Sequence, residues 1–306
     1  MYMKKISIVV ILLISIVGSG LAQTKKPADP KKTSTKSTSK KAAPEPKHTL
    51  VYGNNVPKEQ QQMVEISTSY GVMVVKLYNE TPLHRDNFIK LVRQGFYDSL
   101  LFHRIIKSFM IQGGDPLSKH ADSNAMLGSG DNGNKIPPEF NAELFHKRGA
   151  LAAARDNNPQ KMSSGCQFYI VQGRRYSAQE LEQIINSRNL ARKQELLYQC
   201  YQSDSVQATV SAFQNMGDKE QTRLYMERIQ LAVDKMYKEM YPDATVINEN
   251  QVQTYIEYGG APHLDGSYTV FGELVSGWDV LDKIAMVQTK PGDRPAVDVR
   301  MKMRLL

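Results

Sequence analysis

Arg104 is the residue whose surroundings most clearly suggest chemistry. It lies in the segment F-H-R-I-I (102–106), where the alternation of a strand would put it on one face with Phe102 and Ile106. A guanidinium group carries a permanent charge and five N–H donors, so it can stabilise a developing lone pair or negative charge. The structural alternative is an ion pair on the surface of a sheet.

The other residues capable of chemistry predict no metal or cofactor site. The six histidines lie far apart, and the sequence lacks the H-x-H, H-E-x-x-H and C-x-x-C spacings of zinc sites. Residues 128–133 (G-S-G-D-N-G) match the dinucleotide pattern G-x-G-x-x-G. The residues that follow, N-K-I-P-P, cannot open the helix that such a site needs, so we predict a glycine-rich loop. His103, beside Arg104, is predicted to be a structural histidine of a strand.

The segments around Arg104 have the periodicity of short strands and a few helices. The pattern predicts a hairpin over 63–78 and then a helix with Thr81 as N-cap that ends at Gly95. Residues 277–285 predict a short amphipathic helix, and the alternation over 297–303 predicts a closing strand. Short strands, glycine-rich loops and two helices together predict a closed antiparallel barrel with helices over its mouths.

A long helical stretch, residues 174–258, interrupts this strand pattern, and we call it the insert. Ser177 and Glu180 have the spacing of a capping box, and Asn248 is predicted to cap the last helix. The insert is interpreted as a helical excursion packed on itself. A surface that binds client proteins and a contact for self-association are the two functional alternatives.

The amino-terminal residues predict export. Residues 1–22 combine two early lysines, an apolar run of 12 residues and small residues before Ala22, as in a cleaved signal peptide. An uncleaved membrane anchor is the alternative. Residues 23–49, rich in Lys, Ser, Thr and Pro, predict a disordered linker that carries most of the net charge of +8. Residues 50–306 have no net charge, which argues against nucleic acid as a partner. Cys166 and Cys200 are too few for a disulfide framework, and whether they pair stays open.

Several segments resemble, in order, the signature of cyclophilin-type peptidyl-prolyl cis-trans isomerases. Fourteen consecutive residues, F-H-R-I-I-K-S-F-M-I-Q-G-G-D (102–115), carry the strongest likeness. Further similar stretches are I-P-P-E-F (136–140), L-A-A-A-R (151–155), S-G-C-Q-F-Y-I (164–170) and H-L-D-G-S-Y-T-V-F-G (263–272). The resemblance implies a mainly β fold, a closed eight-stranded antiparallel barrel with two capping helices, formed by 50–173 and 259–306 and interrupted by the insert.

The resemblance also implies the site residues. Arg104 would be the catalytic donor, and the side chains around it would hold a peptide on either side of its proline. Tyr169 stands where the family usually has phenylalanine, which keeps the ring and adds a hydroxyl. The residues implied to bind substrate are Phe109, Met110, Gln112, Ala154, Arg155, Gln167, Tyr169, His263, Leu264 and Tyr268.

The sequence therefore predicts an exported, periplasmic or secreted prolyl isomerase that assists protein folding and acts on proline-containing polypeptides. Rotation about an X–Pro bond changes no covalent bond, so neither a metal nor an organic cofactor is expected. No stable membrane insertion is expected once the signal is cleaved. The alternative is a non-catalytic holding chaperone or scaffold that acts through the insert.

Overall fold

The computed structural model describes residues 61–240 and 248–306, which contain ten strands and six helices. The predicted signal peptide (1–22) and linker (23–49) lie outside the described residues. The strands are β1 (Met63–Thr68), β2 (Gly71–Leu77), β3 (Phe102–Ile106), β4 (Met110–Gly113), β5 (Lys135–Ile136), β6 (Ala150–Ala153), β7 (Ser163–Ser164), β8 (Phe168–Val171), β9 (Val270–Ser276) and β10 (Met301–Leu305). The helices are α1 (Pro82–Arg93), α2 (Ala178–Tyr201), α3 (Asp204–Asn215), α4 (Lys219–Met240), α5 (Glu249–Glu257) and α6 (Trp278–Ala285).

Eight strands form one antiparallel sheet in the order β10-β1-β2-β9-β6-β8-β4-β3. The predicted closed barrel is wrong, because the two edge strands, β3 and β10, do not pair with each other. The edges meet at a single bridge, Leu101 to Arg300, and at neighbouring backbone bonds such as Phe102 N to Val299 O (2.9 Å). Farther along β3, the N–H of Ile105 donates to the carbonyl of Asp293 (2.8 Å), so a loop takes the place of the closing strand. The sheet is an open, curled half-barrel, and the helices make the chain mixed α/β rather than mainly β.

The main hydrophobic core lies between one face of this sheet and helices α1 and α6. Side chains alternate along each strand, so every second residue faces this core. Among the largest buried side chains in it are Ile66, Met73, Tyr97, Phe102 and Phe168. Burying each of them contributes roughly 1.5–3 kcal/mol relative to leaving it exposed.

The last strand begins later than the alternation predicts. Met301 and Met303 are buried while Lys302 and Arg304 are exposed, which confirms the predicted alternation there. Val297 is 75% exposed and lies outside β10, so its place in the predicted strand is wrong.

Helix α1 begins as predicted, but its cap comes from elsewhere in the chain. The Thr81 side chain makes no capping bond, and its hydroxyl is buried without a hydrogen-bond partner among the described residues. The carboxylate of Glu139 accepts instead from the backbone N–H groups of Leu83 and His84, each at 3.0 Å, and from His84 Nδ1 at 2.7 Å. A carboxylate at a helix amino terminus satisfies free N–H groups and complements the helix dipole.

The chain leaves the sheet and returns to it at one point. Arg174 forms an antiparallel bridge with Gly260, and a Cβ on Gly173 would lie 2.5 Å from the Gly260 Cα. Gly173 has φ +69°, and the close approach of the two backbones leaves no room for a side chain there. The two ends of the insert therefore lie together, as expected for an excursion between consecutive segments of the sheet.

The caps predicted for two helices of the insert are confirmed. Ser177 N donates to Glu180 Oε2 (2.8 Å) and Glu180 N donates to Ser177 Oγ (3.2 Å), which forms the capping box of α2. The side chain of Asn248 accepts from the N–H of Asn250 (3.0 Å) at the start of α5. Both predictions succeed because a cap depends on residues within one turn of each other.

The described residues form two compact units. Residues 61–189 and 248–306 form the first, which contains the sheet, the start of α2 and the whole of α5. Residues 190–240 form the second, which we call the helical unit. It contains an ion pair between Lys193 and Asp234 (3.0 Å) and an edge-to-face contact of Phe213 with Tyr225. In the described part of the chain, no helix has both the length and the apolar character needed to span a bilayer.

Candidate active site

The candidate site lies on the sheet face opposite the main core. Adjacent strands bring Arg104 of β3 opposite Gln112 of β4, Gln112 opposite Tyr169 of β8, and Tyr169 opposite Ala152 of β6. Because directly opposed residues of antiparallel strands point to the same side, these four side chains share one face. Alternation along β4 and β8 puts their neighbours on the core face.

A bulge in β3 decides which residues accompany Arg104. The pairing of β3 with β4 shifts between Phe102 and Arg104. As a result, Phe102 and Ile105 both face the main core, whereas Arg104 and Ile106 face the site. The predicted alternation, which put Phe102 beside Arg104, is therefore wrong, and Arg104 has fewer apolar neighbours on its face than expected.

Two side chains hold the guanidinium of Arg104. Its Nε donates to Asp293 Oδ2 (3.3 Å), and one terminal nitrogen donates to Gln112 Oε1 (3.4 Å). The side chain is 43% exposed, so solvent or a ligand can reach it. Arginine has five N–H donors, and these two contacts use only two of them. The arrangement gives a positioned cation that still has donors for a ligand.

Gln112 continues the network toward a glycine-rich loop. Its side-chain amide donates to Gln167 Oε1 (3.0 Å), and the amide of Gln167 donates to the carbonyls of Gly128 (3.0 Å) and Gly130 (2.7 Å). The carboxylate of Asp115 accepts from the N–H groups of the same two glycines. The segment that matches G-x-G-x-x-G is thus a loop that fixes Gln167, and β5 follows it rather than a helix.

Next to these polar groups is a cluster of apolar side chains that includes five residues predicted from the sequence to bind substrate, and we call these five the apolar pocket. They belong to one cluster with Ala152, Ala154 and Val270. Met110 and Tyr169 are buried, and the other three are partly exposed, so a ligand can reach them. The five residues of the apolar pocket are Phe109, Met110, Tyr169, Leu264 and Tyr268.

The remaining sequence-predicted residues lie at the rim of the apolar pocket. The ring of His263, which is exposed, lies 5.3 Å from that of Phe109. The guanidinium of Arg155 lies 4.6 Å above the ring of Tyr268, a cation–π contact, and its Nε donates to the carbonyl of Ser267 (3.1 Å). All the residues named from the sequence thus belong to one connected region of the sheet face and its loops.

The residues that hold these side chains in place were not predicted from the sequence. Asp293, the partner of Arg104, lies in a loop 189 residues farther along the chain. His146 lies behind the apolar pocket, with Nε2 3.0 Å from the hydroxyl of Tyr169 and Nδ1 2.9 Å from Asp265 Oδ1. Burial raises the pKa of Tyr169 well above its ordinary value, so its hydroxyl stays protonated. No local spacing in the sequence signals these pairs.

His103 is a buried residue of strand β3, in agreement with the prediction of a structural histidine. It is 2% exposed, and neither ring nitrogen has a hydrogen-bond partner in the described part of the chain. Burial lowers the pKa of His103 to about 4; the charge of Asp115 opposes this effect, and the charge of Arg104 adds to it. The ring is therefore neutral near pH 7. Cys166 and Cys200 are both free, buried thiols.

Comparisons with known proteins agree on one family. A family model described as cyclophilin-type peptidyl-prolyl cis-trans isomerase/CLD matches residues 63–188 and 202–304. A Staphylococcus aureus protein with the name of a peptidyl-prolyl cis-trans isomerase is 29% identical over 246 residues, which cover 79% of this chain and 91% of the relative.

Two further proteins are similar over much of the chain. A Streptococcus pyogenes protein named as a bifunctional phosphatase/peptidyl-prolyl cis-trans isomerase is 31% identical over 241 residues, 77% of this chain. The match spans only 37% of that longer relative. The crystal structure of a Cryptosporidium parvum cyclophilin-type isomerase aligns over 81% of this chain and 98% of its own, with 19% identity and a TM-score of 0.48.

Proposed function

Because the chain belongs to the cyclophilin-type peptidyl-prolyl cis-trans isomerase family, we propose that Arg104 and the apolar pocket together rotate X–Pro bonds of polypeptide substrates. The apolar pocket would take the proline ring. Gln112, Gln167, Arg155 and the backbone at Ala154 would hold the peptide on either side.

Rotation about an X–Pro bond requires few catalytic groups. A planar X–Pro amide resists rotation with a barrier of roughly 18–20 kcal/mol and isomerises unaided in tens to hundreds of seconds. Twisting the bond removes the resonance, and the proline nitrogen regains its lone pair. A cation that donates to this nitrogen stabilises the twisted state more than either planar form, and only such differential binding accelerates the reaction. No bond is made or broken.

The position of Arg104 is the observation that supports this proposal best. It lies on the same sheet face as Tyr169, two strands away, and Gln112 between them bonds to its guanidinium. Its charge is already oriented by Asp293, so little reorganisation is needed when a substrate binds.

The test is a prolyl-peptide isomerisation assay on the whole chain and on Arg104→Ala. Losing one preorganised donor typically costs about 10²- to 10³-fold in rate, so kcat should fall by about this factor while KM changes less. Arg104→Lys keeps the charge but loses the planar fork, and should recover only part of the rate. Arg223→Ala, which removes an exposed arginine of α4, is the control and should keep the parental rate. A folded Arg104→Ala protein with the parental rate would refute the assignment.

We further propose that the substrates are exported proteins during their folding. The proposal is supported by the charged and apolar composition of residues 1–22 and by Ala22 at the expected cleavage position. Intact-mass measurement on protein from a periplasmic fraction or culture medium should give Gln23 as the first residue. A mature chain that still begins at Met1 would point to the uncleaved anchor instead.

A second activity, holding unfolded clients, is supported by the surface of the helical unit. Leu190, Tyr198, Met216 and Leu231 are each more than half exposed, and apolar side chains that are exposed together can bind unfolded chains. We expect Met216→Gln with Leu231→Gln to weaken suppression of client aggregation and to leave prolyl-peptide turnover unchanged. If the double variant instead changes only the sedimentation of the chain, the surface serves self-association.

A further inference from the structure

The hydroxyl of Tyr169 is the first link of a hydrogen-bond network that ends in the insert. It lies 3.0 Å from His146 Nε2, and His146 Nδ1 lies 2.9 Å from Asp265 Oδ1. The second oxygen of Asp265 accepts from the hydroxyl of Tyr255 at 2.7 Å. Tyr255 belongs to helix α5, whereas Tyr169 lies in the sheet and forms part of the apolar pocket.

The chemistry of the groups determines which of them donates and which accepts in each hydrogen bond of the network. An ionised carboxylate can only accept, so His146 Nδ1 carries a proton and donates a hydrogen bond to Asp265. A ring protonated only there accepts at Nε2 from the Tyr169 hydroxyl. The backbone N–H of His146 also donates to Asp265 Oδ1 (2.9 Å), which fixes the carboxylate against the ring. The oriented imidazole leaves one position for the Tyr169 hydroxyl.

Burial makes these bonds costly to break. His146, Tyr169 and Tyr255 are between 1% and 4% exposed, and the side chain of Asp265, which joins them, is 16% exposed, so water has little access to the network except at Asp265. Leaving a buried polar group without a hydrogen-bond partner costs about 1–3 kcal/mol of stability. The bonds of a side-chain network also strengthen one another, so the loss of one affects the others. A change at Tyr255 should therefore reach Tyr169 through Asp265 and His146.

Apolar packing anchors Tyr255 independently of the network. Its ring makes edge-to-face contacts with Phe145 (5.4 Å) and Tyr176 (6.4 Å). The same cluster includes residues of the start of α2, namely Leu181 and Ile185, and of α5, namely Val252 and Ile256. The place of the Tyr255 hydroxyl is therefore set by the two end segments of the insert, which belong to the same compact unit as the sheet.

We propose that Tyr255 is a positioning residue for the apolar pocket: through Asp265 and His146 it holds the ring of Tyr169, so that the insert helps to set how tightly a substrate proline binds. The proposal rests on the proposed function of the apolar pocket. It assigns to the ends of the insert a role in the isomerase itself.

The first experiment compares Tyr255→Phe with Tyr258→Phe in the whole chain. Tyr255→Phe keeps the ring in its apolar cluster and removes only the hydroxyl. Tyr258 lies just after the same helix and is 64% exposed, so its substitution is a matched control. We expect Tyr255→Phe to raise KM for a prolyl peptide about threefold to tenfold, the effect of about one hydrogen bond, with kcat within twofold. Tyr258→Phe should leave both constants unchanged. An unchanged KM in folded Tyr255→Phe would overturn the proposal.

A double-mutant cycle and a spectrum separate this proposal from that of the isomerase function. If the network carries the effect, Tyr169→Phe with Tyr255→Phe should raise KM no more than Tyr169→Phe alone, whereas additive effects would show independent roles. The ¹⁵N resonances of the His146 ring should shift in Tyr255→Phe and not in Tyr258→Phe, whether or not the chain turns over peptides. If the unsubstituted protein does not isomerise prolyl peptides, the proposed function is wrong. If the His146 resonances do not shift in Tyr255→Phe, the coupling of Tyr255 to His146 is wrong.

Discussion

Acid should weaken this fold through one buried histidine. His103 is neutral in the folded chain because burial lowers its pKa to about 4, while an unfolded histidine has a pKa near 6.5. As pH falls below about 6.5, His103 becomes protonated in the unfolded chain but stays neutral in the folded chain. Stability is therefore lost between pH 6.5 and about 4, and the loss stops once the folded state also binds the proton.

These two pKa values give the size of the effect. Between pH 7 and pH 4.5, one such group contributes a loss of about 2 kcal/mol. This is a substantial part of the 5–15 kcal/mol by which domains are typically stable. For a domain of this size it corresponds to a fall in Tm of about 4–8 °C.

The assay is thermal or urea unfolding of the parent and of His103→Phe over this pH range. Neither ring nitrogen of His103 makes a hydrogen bond of ordinary geometry among the described residues, so phenylalanine loses at most a weak contact with the backbone of Leu101. Other carboxylates begin to take up protons at the acid end of this range in both proteins, so the quantity of interest is the difference between the two proteins. We expect the parent to lose about 2 kcal/mol more than His103→Phe. His120→Gln, at an exposed histidine, should keep the parental slope. Equal slopes for the parent and His103→Phe would refute the reasoning.

Two further substitutions test the loop and the cap that support the site. Glu139→Gln should lower the free energy of unfolding by about 1–2 kcal/mol at pH 7, because the amide cannot accept all the bonds that cap α1; a urea-measured loss below about 0.5 kcal/mol would contradict this. Gly130→Ala would put a Cβ 1.9 Å from Asp115 Oδ1, so the loop must move and release the amide of Gln167. We expect it to raise KM for prolyl peptides more than Gly133→Ala, which introduces backbone strain at φ +80° in the same loop but meets no neighbouring atom within 4 Å. Equal KM values for the two variants would show that the contact with Asp115 does not control substrate binding.

The parts of the site that the sequence predicted are those with local signatures. The residues of the motif around Arg104 lie on two adjacent strands, and strand pairing brings them to Tyr169 without further information. The caps of α2 and α5 are similarly local. Sequence alternation could not show the bulge after Phe102, because one extra residue in a strand leaves the pattern of residue types nearly unchanged.

The parts that the sequence could not predict depend on contacts between distant segments. Thr81 is a reasonable N-cap by type, but Glu139 reaches the helix from 58 positions farther along and takes over that role. The pairing of His146 with Asp265 spans 119 positions. The closed barrel was predicted from the short strands, the glycine-rich loops and the family resemblance, whereas the loop at Asp293 occupies the edge of β3.

The bridge between Arg174 and Gly260 also bears on the order in which the chain folds. Bringing together the ends of a loop costs an entropy that grows with the logarithm of its length. Replacing a connection of about five residues by one of about 85 adds roughly 2.5 kcal/mol. Helices form within microseconds from local contacts, whereas long-range strand pairing is slow. Once formed, the helices shorten the flexible connection between the strands on either side of the insert. Helices α2–α5 should thus form before β9 finds β6, so that helix-weakening substitutions in them slow the assembly of a sheet to which they contribute no strand.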